Sequence, residues 1–517
     1  MNNHFVVKHY TYIIHATTRY HYLLRAFFTG ILFPFGFAPF HLPGLSLLSL
    51  ACLFIQLQSV SLKHSFWVGF TYGLGFLGVG VSWVYVSIHE YGHLNVVLSA
   101  CITLLFVTYL ALYLGLVAFL FNRLRAHSPL RSCLLFSAIW CFGEYLRATL
   151  MGGFPWLLLG IGQMDTPLKY LLPVFGIYGV SFFACFTATI FAVSTQQKTV
   201  KRWFWILVFL FLLLAPALLK FNWVTQSPTP VSVGIIQANL SMRDKWDESL
   251  FWQLLQRYKD GIAKLIDHEN LIVMPESAIP LPPSYVSNFL ESIDLQATQK
   301  NSAILLGIPQ PTSDGARFYN SISTLGIASG VYAKQHLVPF GEFIPQPFEH
   351  LMSWLGIPIT NLQSGKVNQP LIQVQNHPIA ALICYELAYP ALLRKQLPEA
   401  EWIVSVSDDG WFGHSLAMYQ QLQMAQALSL QAGRYHIVAN NDGLSSVIDT
   451  QGNLMSSLPP FSSGLLRTTI YPATGSTPWV YWGDLPVLLF MLSLVVAAEF
   501  NKFRLTRLYF QRSADLN

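Results

Sequence analysis

The chain has 517 residues, of which 53% are hydrophobic, 15% aromatic and 11% charged, with a mean hydropathy of +0.44. A soluble domain carries roughly 25% charged residues, so this composition excludes a conventional water-soluble protein as well as a disordered or collagen-like one. The formal charge of +5 is small and no basic face emerges to hold nucleic acid, while six cysteines are too few for a disulfide scaffold.

Residues 1–20 are polar and aromatic, without an apolar core or a small-residue cleavage site, so no cleavable signal peptide is expected and this extension has no assigned role. Apolar runs near the length needed to cross a bilayer, roughly 20 residues, follow at 26–42, 44–62, 66–88, 95–121, 133–151, 170–194 and 203–220, with an eighth at 479–499. The first is the weakest, because Pro34 and Pro39 interrupt it. Lys and Arg cluster in alternate loops: Lys8, Arg19 and Arg25, then Lys63, then Arg123, Arg125 and Arg131, then Lys198, Lys201 and Arg202, then Lys502, Arg504, Arg507 and Arg512. The intervening loops hold only Arg147, Lys169 and Lys220. By the positive-inside rule, eight spans with both termini cytoplasmic are expected.

Two features of the apolar part invite a functional reading. His89-Glu90-Tyr91-Gly92-His93 matches a zinc-protease pattern, but Gly92 weakens the helix it needs and no third ligand is evident, so no metal site is assigned. Glu144 and Arg147 are the one opposite-charge pair at helical spacing there, readable as an intramembrane functional pair or as a structural one.

Acidic residues are concentrated elsewhere. Of 25, only Glu90, Glu144 and Asp165 precede residue 225 and only Asp484, Glu499 and Asp515 follow residue 475. The expected organisation is a membrane domain at 1–224, an exported domain at 225–475, and a last span with a basic cytoplasmic tail at 476–517. Cys384 is the sole cysteine of the exported domain, either a buried inert thiol or a reactive one.

In that domain, residues 231–237, 271–276, 303–309, 379–386 and 402–407 are near-continuous apolar runs, the pattern of strands buried on both faces in a layered α/β domain. Leu250–Ile266 and Tyr419–Ala432 read as helices. Glu276, in Pro275-Glu276-Ser277, closes one run; a partly desolvated carboxylate there suits a general base. Lys334, in the block Lys334-Gln335-His336-Leu337-Val338-Pro339-Phe340-Gly341-Glu342, sits in mostly apolar surroundings that demand a partner. Cys384, in Ile383-Cys384-Tyr385-Glu386, ends a third run. Taken singly, each is more often a helix cap, a snorkelling lysine or a packed cysteine. Together they supply a thiol, a base and a cation for an oxyanion.

Glu, Lys and Cys in this order, 58 and then 50 residues apart, resemble the nitrilase superfamily. The residues Ser82–Ile88, Trp140–Arg147 and Gly153-Phe154-Pro155-Trp156 resemble membrane-domain motifs of the apolipoprotein N-acyltransferase family. So do Gln237–Trp246, the three blocks above and Trp411-Phe412-Gly413, so that the resemblance runs along nearly the whole chain. It implies an eight-span α-helical membrane base carrying a nitrilase-like αββα sandwich, in a bacterial inner membrane with the catalytic domain periplasmic. It further implies Cys384 as nucleophile, Glu276 as general base and Lys334 as the oxyanion cation. Glu342 would orient the lysine, Tyr385 and Glu386 would shape the pocket, Trp246 would belong to a mobile arm over the lipid entrance, and Trp156 is a supporting aromatic. The implied reaction moves an acyl chain from the sn-1 position of a phospholipid, with phosphatidylethanolamine the expected donor, through a Cys thioester to the α-amino group of an S-diacylglyceryl-cysteine on an apolipoprotein. It calls for no metal or nucleotide cofactor, and a monomer is expected.

The chain departs from that family's pattern at Asp408, where Asn is usual, at Gln431, where Glu is usual, and at Leu428 and Val438, where arginines are usual. Two rivals use the same residues or none of them. A membrane-anchored amidase with water as acceptor would need one anchor rather than eight spans, and a transporter with a degenerate domain would not keep the triad.

Overall fold

The computed structural model describes residues 21–92, 94–125, 128–245, 247–345 and 362–514. It divides into two units, one of Met1–His89, Leu94–Lys220 and Asp484–Asn517, the other of Glu90–His93 and Phe221–Gly483.

The first unit is built from apolar helices. Val96–Leu124, Pro129–Gly152, Pro167–Gln196 and Thr199–Leu219 are each long and apolar enough to cross a membrane. Leu62–Gly80 with Val84–Tyr91 qualifies as a fifth span only as a pair bent by 64°. Pro43–Ser59 and Leu485–Phe500 are apolar but shorter. The expected run at 26–42 is a helix over 21–31 that gives way to a 3-10 turn at Phe33–Gly36, where Pro34 has no N–H to continue the ladder. Glycines bring two helices into close approach: a Cβ on Gly69 would lie 2.3 Å from Leu114 O, and one on Gly73 would lie 3.0 Å from Ala111 Cα. This is the small-residue packing that membranes favour, because apolar side chains gain little by leaving lipid. Trp203, Phe204, Leu207, Phe211 and Leu214 stand exposed on Thr199–Leu214, an apolar face that water would not tolerate on a monomer.

The Glu144/Arg147 pair fastens the segment that follows its helix. Arg147 donates to the Phe154 and Trp156 carbonyl oxygens at 2.9 and 2.7 Å, while the Leu159 N–H and Trp140 Nε1 donate to Glu144 Oε1 at 2.8 and 3.1 Å. Trp156 is buried there, its ring 5.0 Å from that of Trp83. Ser87–Tyr91 forms a π-helical turn in which His89 Nδ1 lies 2.8 Å from Leu94 O; His93 lies outside the described residues.

The second unit is a pair of sheets. One has six strands in the order Gly464–Ile470, Val231–Gln237, Leu271–Val273, Ala303–Gly307, Ser321–Gly326, Val331–Ala333; the middle pairings are parallel. The other has seven, with His377–Ile383, Ile403–Ser407 and His436–Asn440 parallel at its centre. Strand alternation sorts the apolar side chains. Val233, Ile235, Val273 and Leu305 meet Ile379, Ala381, Ile383, Val404 and Ile437 in one core between the sheets. Ile236, Ile272 and Ile304 point the other way and pack against Leu254, Tyr258 and Ile262 of the helix Phe251–Leu265 and Ile293 of Ser287–Gln299. The helix Ala417–Ala432 packs on the seven-stranded sheet. The expected strands and both expected helices of this region are therefore present, Val231–Gln237 as expected and no end of the others moved by more than three residues.

Parallel strands deliver their next residues to a common edge, the usual place for a ligand site in α/β sheets. Gly307 shows how tightly that edge is built: a Cβ on it would lie 2.4 Å from both Pro275 O and Ser277 N and 2.7 Å from Glu276 Cα. Gly307→Ala must therefore push the Glu276 turn away. We expect a loss of about 1–3 kcal/mol in stability, read by thermal unfolding, together with a loss of activity greater than the fraction unfolded. Unchanged activity in a folded variant would show that the turn tolerates displacement.

Candidate active site

Glu276 follows Leu271–Val273 and is buried. Its Oε1 accepts from Asn320 Nδ2 at 2.7 Å and lies 3.5 Å from Lys334 Nζ, while its Oε2 accepts from the Asp408 backbone N–H at 3.1 Å. Lys334 directly follows Val331–Ala333 and is 1% exposed. Its ammonium donates to Glu342 Oε1 at 2.8 Å, and Asn320 Nδ2 reaches the same oxygen at 3.1 Å. Lys334 and Asn320 thus both bridge Glu276 and Glu342. The Val338 N–H holds the other Glu342 oxygen at 2.8 Å.

Cys384 is the residue after the strand His377–Ile383 and opens the 3-10 turn Cys384–Ala388 with φ of +52°. A left-handed backbone at a non-glycine residue costs on the order of 1–3 kcal/mol and persists only where its surroundings enforce it. Glu386 supplies the enforcement: its carboxylate accepts from the Ile383 N–H at 2.9 Å, the Gln335 N–H at 2.7 Å, the His336 N–H at 3.1 Å and the Tyr332 hydroxyl at 3.1 Å. One buried carboxylate therefore ties the cysteine turn to the lysine segment. Tyr385, beside the thiol, is buried and its hydroxyl accepts from Tyr389 at 3.2 Å.

The electrostatics follow from burial. Burial pushes the Glu276 carboxyl up, Lys334 opposes that shift and Glu342 adds to it, leaving Glu276 above the usual carboxylate range. Burial pulls Lys334 down, but Glu342 and Glu276 outweigh it, so the ammonium is retained. Burial and the Glu276 charge hold the Cys384 thiol well above its ordinary value against the pull of Lys334. Glu386 is raised to about 7, chiefly by burial. The resting site thus holds a protonated thiol next to a carboxylate and a fixed cation, an arrangement suited to a nucleophile that loses its proton only when an electrophile arrives.

A second layer lies beneath Glu276. Lys245, also buried, donates to the Glu276 carbonyl oxygen at 2.8 Å and forms an ion pair with Asp408. Asp408 Oδ1 accepts from Asn441 Nδ2 at 3.2 Å. Sequence reasoning missed both Asn320 and Lys245. Each is a common residue type whose partners lie far away in the chain; Lys245 falls within the Gln237–Trp246 block that resembles the family, but nothing singles it out there. Among the expected site residues, Glu276, Lys334, Glu342, Cys384, Tyr385 and Glu386 come together, Trp156 belongs to the helical unit, and Trp246 lies outside the described residues.

The family model of the apolipoprotein N-acyltransferase N-terminal domain matches residues 29–190, and that of carbon-nitrogen hydrolase matches residues 232–477. The apolipoprotein N-acyltransferase of Coxiella burnetii is 38% identical over 471 residues, covering 90% of this chain and 96% of its own. Those of Azotobacter vinelandii and Methylococcus capsulatus are 35% and 36% identical, with 92% and 93% of their lengths covered. The chain belongs to the apolipoprotein N-acyltransferase family. It is a membrane protein and an acyltransferase, with a carbon-nitrogen hydrolase domain in its C-terminal part.

Within this apolipoprotein N-acyltransferase family member, the sequence departures fall into two kinds. Leu428 and Val438 are buried apolar residues, and Gln431 is fully buried with neither amide atom hydrogen-bonded. Asp408, by contrast, joins the charged layer, where it places a carboxylate against Lys245. Removing one member of a buried ion pair costs about 3–5 kcal/mol, because it strands the other charge. Lys245→Met should therefore destabilise the protein strongly, while Lys245→Met with Asp408→Asn should recover most of the loss. A double-mutant cycle by chemical denaturation checks this, and additive losses would mean that the two groups do not interact.

Proposed function

We propose that the protein takes an acyl chain from the sn-1 position of a membrane phospholipid, phosphatidylethanolamine being the donor, and passes it through a Cys384 thioester to the α-amino group of an S-diacylglyceryl-cysteine at an apolipoprotein N-terminus. The observation that carries this reading is the Cys384 thiol held at a strained strand end under the charges of Glu276 and Lys334. Glu276 takes the thiol proton as sulfur attacks the ester carbonyl. Lys334, fixed as an ammonium by Glu276 and Glu342, faces the oxyanion. Glu276 then returns the proton to the departing lysophospholipid oxygen, leaving the acyl group on sulfur. A thioester suits an amine acceptor, which must outcompete water. Glu342 orients the lysine; Glu386 sets the cysteine turn; Tyr385 borders the thiol; Trp156, buried in the helical unit, is a supporting aromatic, and Trp246, outside the described residues, is assigned to an arm over the lipid entrance. The apolar helices favour a lipid donor over the amidase alternative, since a hydrolase of soluble amides has no use for them.

In this reading the helical part crosses the bacterial inner membrane eight times, both termini are cytoplasmic, and residues 225–475 lie in the periplasm as an αββα sandwich on a monomer. The Lys and Arg asymmetry of the loops supports that orientation. Burial leaves Cys384 slow to react, so the orientation is tested at an exposed site. In Ser313→Cys, a membrane-impermeant thiol reagent should label cells whose outer membrane alone is permeabilised. Labelling that requires inner-membrane lysis would reverse the topology.

The chemistry is tested by intact mass after incubation with phospholipid. The native enzyme should gain one acyl group, and Cys384→Ser should gain none. Glu276→Gln should slow acylation by about 10²–10⁴-fold, and Lys334→Met should remove oxyanion stabilisation of roughly 3–4 kcal/mol. Raising the pH should partly rescue Glu276→Gln, since hydroxide can make thiolate, and rescue Lys334→Met much less. Equal responses of the two variants to pH would overturn this division of roles.

A further inference from the structure

Proton accounting exposes a gap in the second half-reaction as proposed above. The acceptor's α-amino group has an ordinary pKa of about 7.7–8.0 and arrives largely as an ammonium at neutral pH. To become an amide nitrogen it must lose two protons. Glu276, regenerated as a carboxylate when lysophospholipid leaves, can carry one of them from nitrogen to the departing Cys384 sulfur. The other needs a second acceptor.

Three further carboxyl groups stand on the strand ends next to Glu276: Asp408 and Asp409 after Ile403–Ser407, and Asp442 after His436–Asn440. Their partners distinguish them. Asp408 is paired with Lys245 and accepts from Asn441. Asp409 packs within 2.4 Å of where a Cβ on Gly443 would lie, and with the Gln421 amide turned so that its nitrogen faces the carboxyl, that nitrogen donates to Asp409 Oδ1 at 2.5 Å. Asp442 is 5% exposed, and its Oδ1 is enclosed with no hydrogen-bond partner among the described residues. A buried carboxylate oxygen without a donor is costly, so the position calls for a cationic or proton-bearing group. The Lys245 ammonium is paired with Asp408, and burial with the Asp442 charge pushes the Asp409 carboxyl well above the usual carboxylate range, so Asp442 is the carboxylate whose charge is least compensated. Among the described residues no group of three or more His, Cys, Asp or Glu side chains is placed to hold a metal ion, whereas a primary ammonium carries three N–H donors and can satisfy a single carboxylate oxygen without further ligands. The cluster is electrostatically continuous with the thiol: Asp442 acts on Asp409, and Asp409 acts on Cys384.

We propose that the Asp408–Asp409–Asp442 cluster receives the primary ammonium group of the acceptor and that Asp442 takes its first proton. The resulting amine attacks the thioester carbonyl. The C–S bond breaks as the C–N bond forms, the second proton passes through Glu276 to sulfur, and Asp442 later releases its proton to solvent. Burial first, and the Asp408 charge second, hold the Asp442 carboxyl at about 7, in the range of a group that accepts a proton at neutral pH.

The test separates the half-reactions in the full-length enzyme, with phosphatidylethanolamine as donor and two lipopeptide acceptors, one ending in an ordinary α-amine and one in an aminooxy group that is uncharged at neutral pH. Asp442→Asn should form the Cys384 adduct at the native rate. Transfer to the α-amine should fall by about 10²-fold at pH 7, transfer to the aminooxy acceptor should stay near native, and raising the pH should restore the α-amine reaction. Asp442→Ser, which also removes the carboxyl, should show the same selectivity. Unchanged transfer to the α-amine, or equal losses with both acceptors, overturns the assignment. Absence of an adduct in the native enzyme would instead defeat the thioester reading on which it rests.

Discussion

The site depends on the burial of one lysine. A lone ammonium removed from water is strongly destabilised, and Lys334 is stable there only because Glu276 and Glu342 sit on either side of it. Each of those carboxylates is in turn tolerable only beside the cation. Asn320 then uses its two N–H groups on the same pair of acids. The result is a set of mutually required charges that cannot be assembled piecemeal. Glu276 and Lys334 follow strand ends, and Glu342 sits in the turn beyond, where the Val338 N–H holds it, so the cation is kept beside the acids that share it.

The two-sheet core explains why such an arrangement can hold its shape. Glu276, Lys334 and Cys384 come from three different strands on two sheets, and the apolar layer between those sheets keeps their ends in register. Glu386 adds a direct cross-link, because its carboxylate binds backbone on both the cysteine and the lysine segments. A change in how the sheets pack would therefore be felt at the thiol before it was felt in overall stability.

How much of this could be read from the amino-acid order depended on the range of the forces involved. The strands were legible because both faces are buried, giving unbroken apolar runs such as 231–237 and 403–407. Glu276, Lys334 and Cys384 were legible because each is an isolated polar group at the end of such a run. Asn320 was not, and Lys245 was visible only as a member of the Gln237–Trp246 block, since their importance comes from partners 44 and 163 residues away. The helical part was harder for another reason. Hydropathy marks apolar segments but not their breaks: Pro34 flagged the one at Phe33–Gly36, whereas the 64° bend before Val84 interrupts a run that reads as continuous. The roles of Glu144 and Arg147 also lay outside local reading, because they bind backbone of a loop rather than declaring themselves by spacing.

The guarded proton of Cys384 has a consequence for durability. Oxidants attack thiolate far faster than thiol, and the first product, a sulfenic acid, is reversible only when a second thiol is at hand. Cys384 is the sole cysteine between residues 186 and 517, so no resolving partner is close in the chain. A low-pKa sulfur at this position would be more open to oxidation, with no neighbouring cysteine in the chain to reverse it. By burying the sulfur and keeping it protonated, the fold shelters from oxidation a thiol that has no spare copy in this part of the chain.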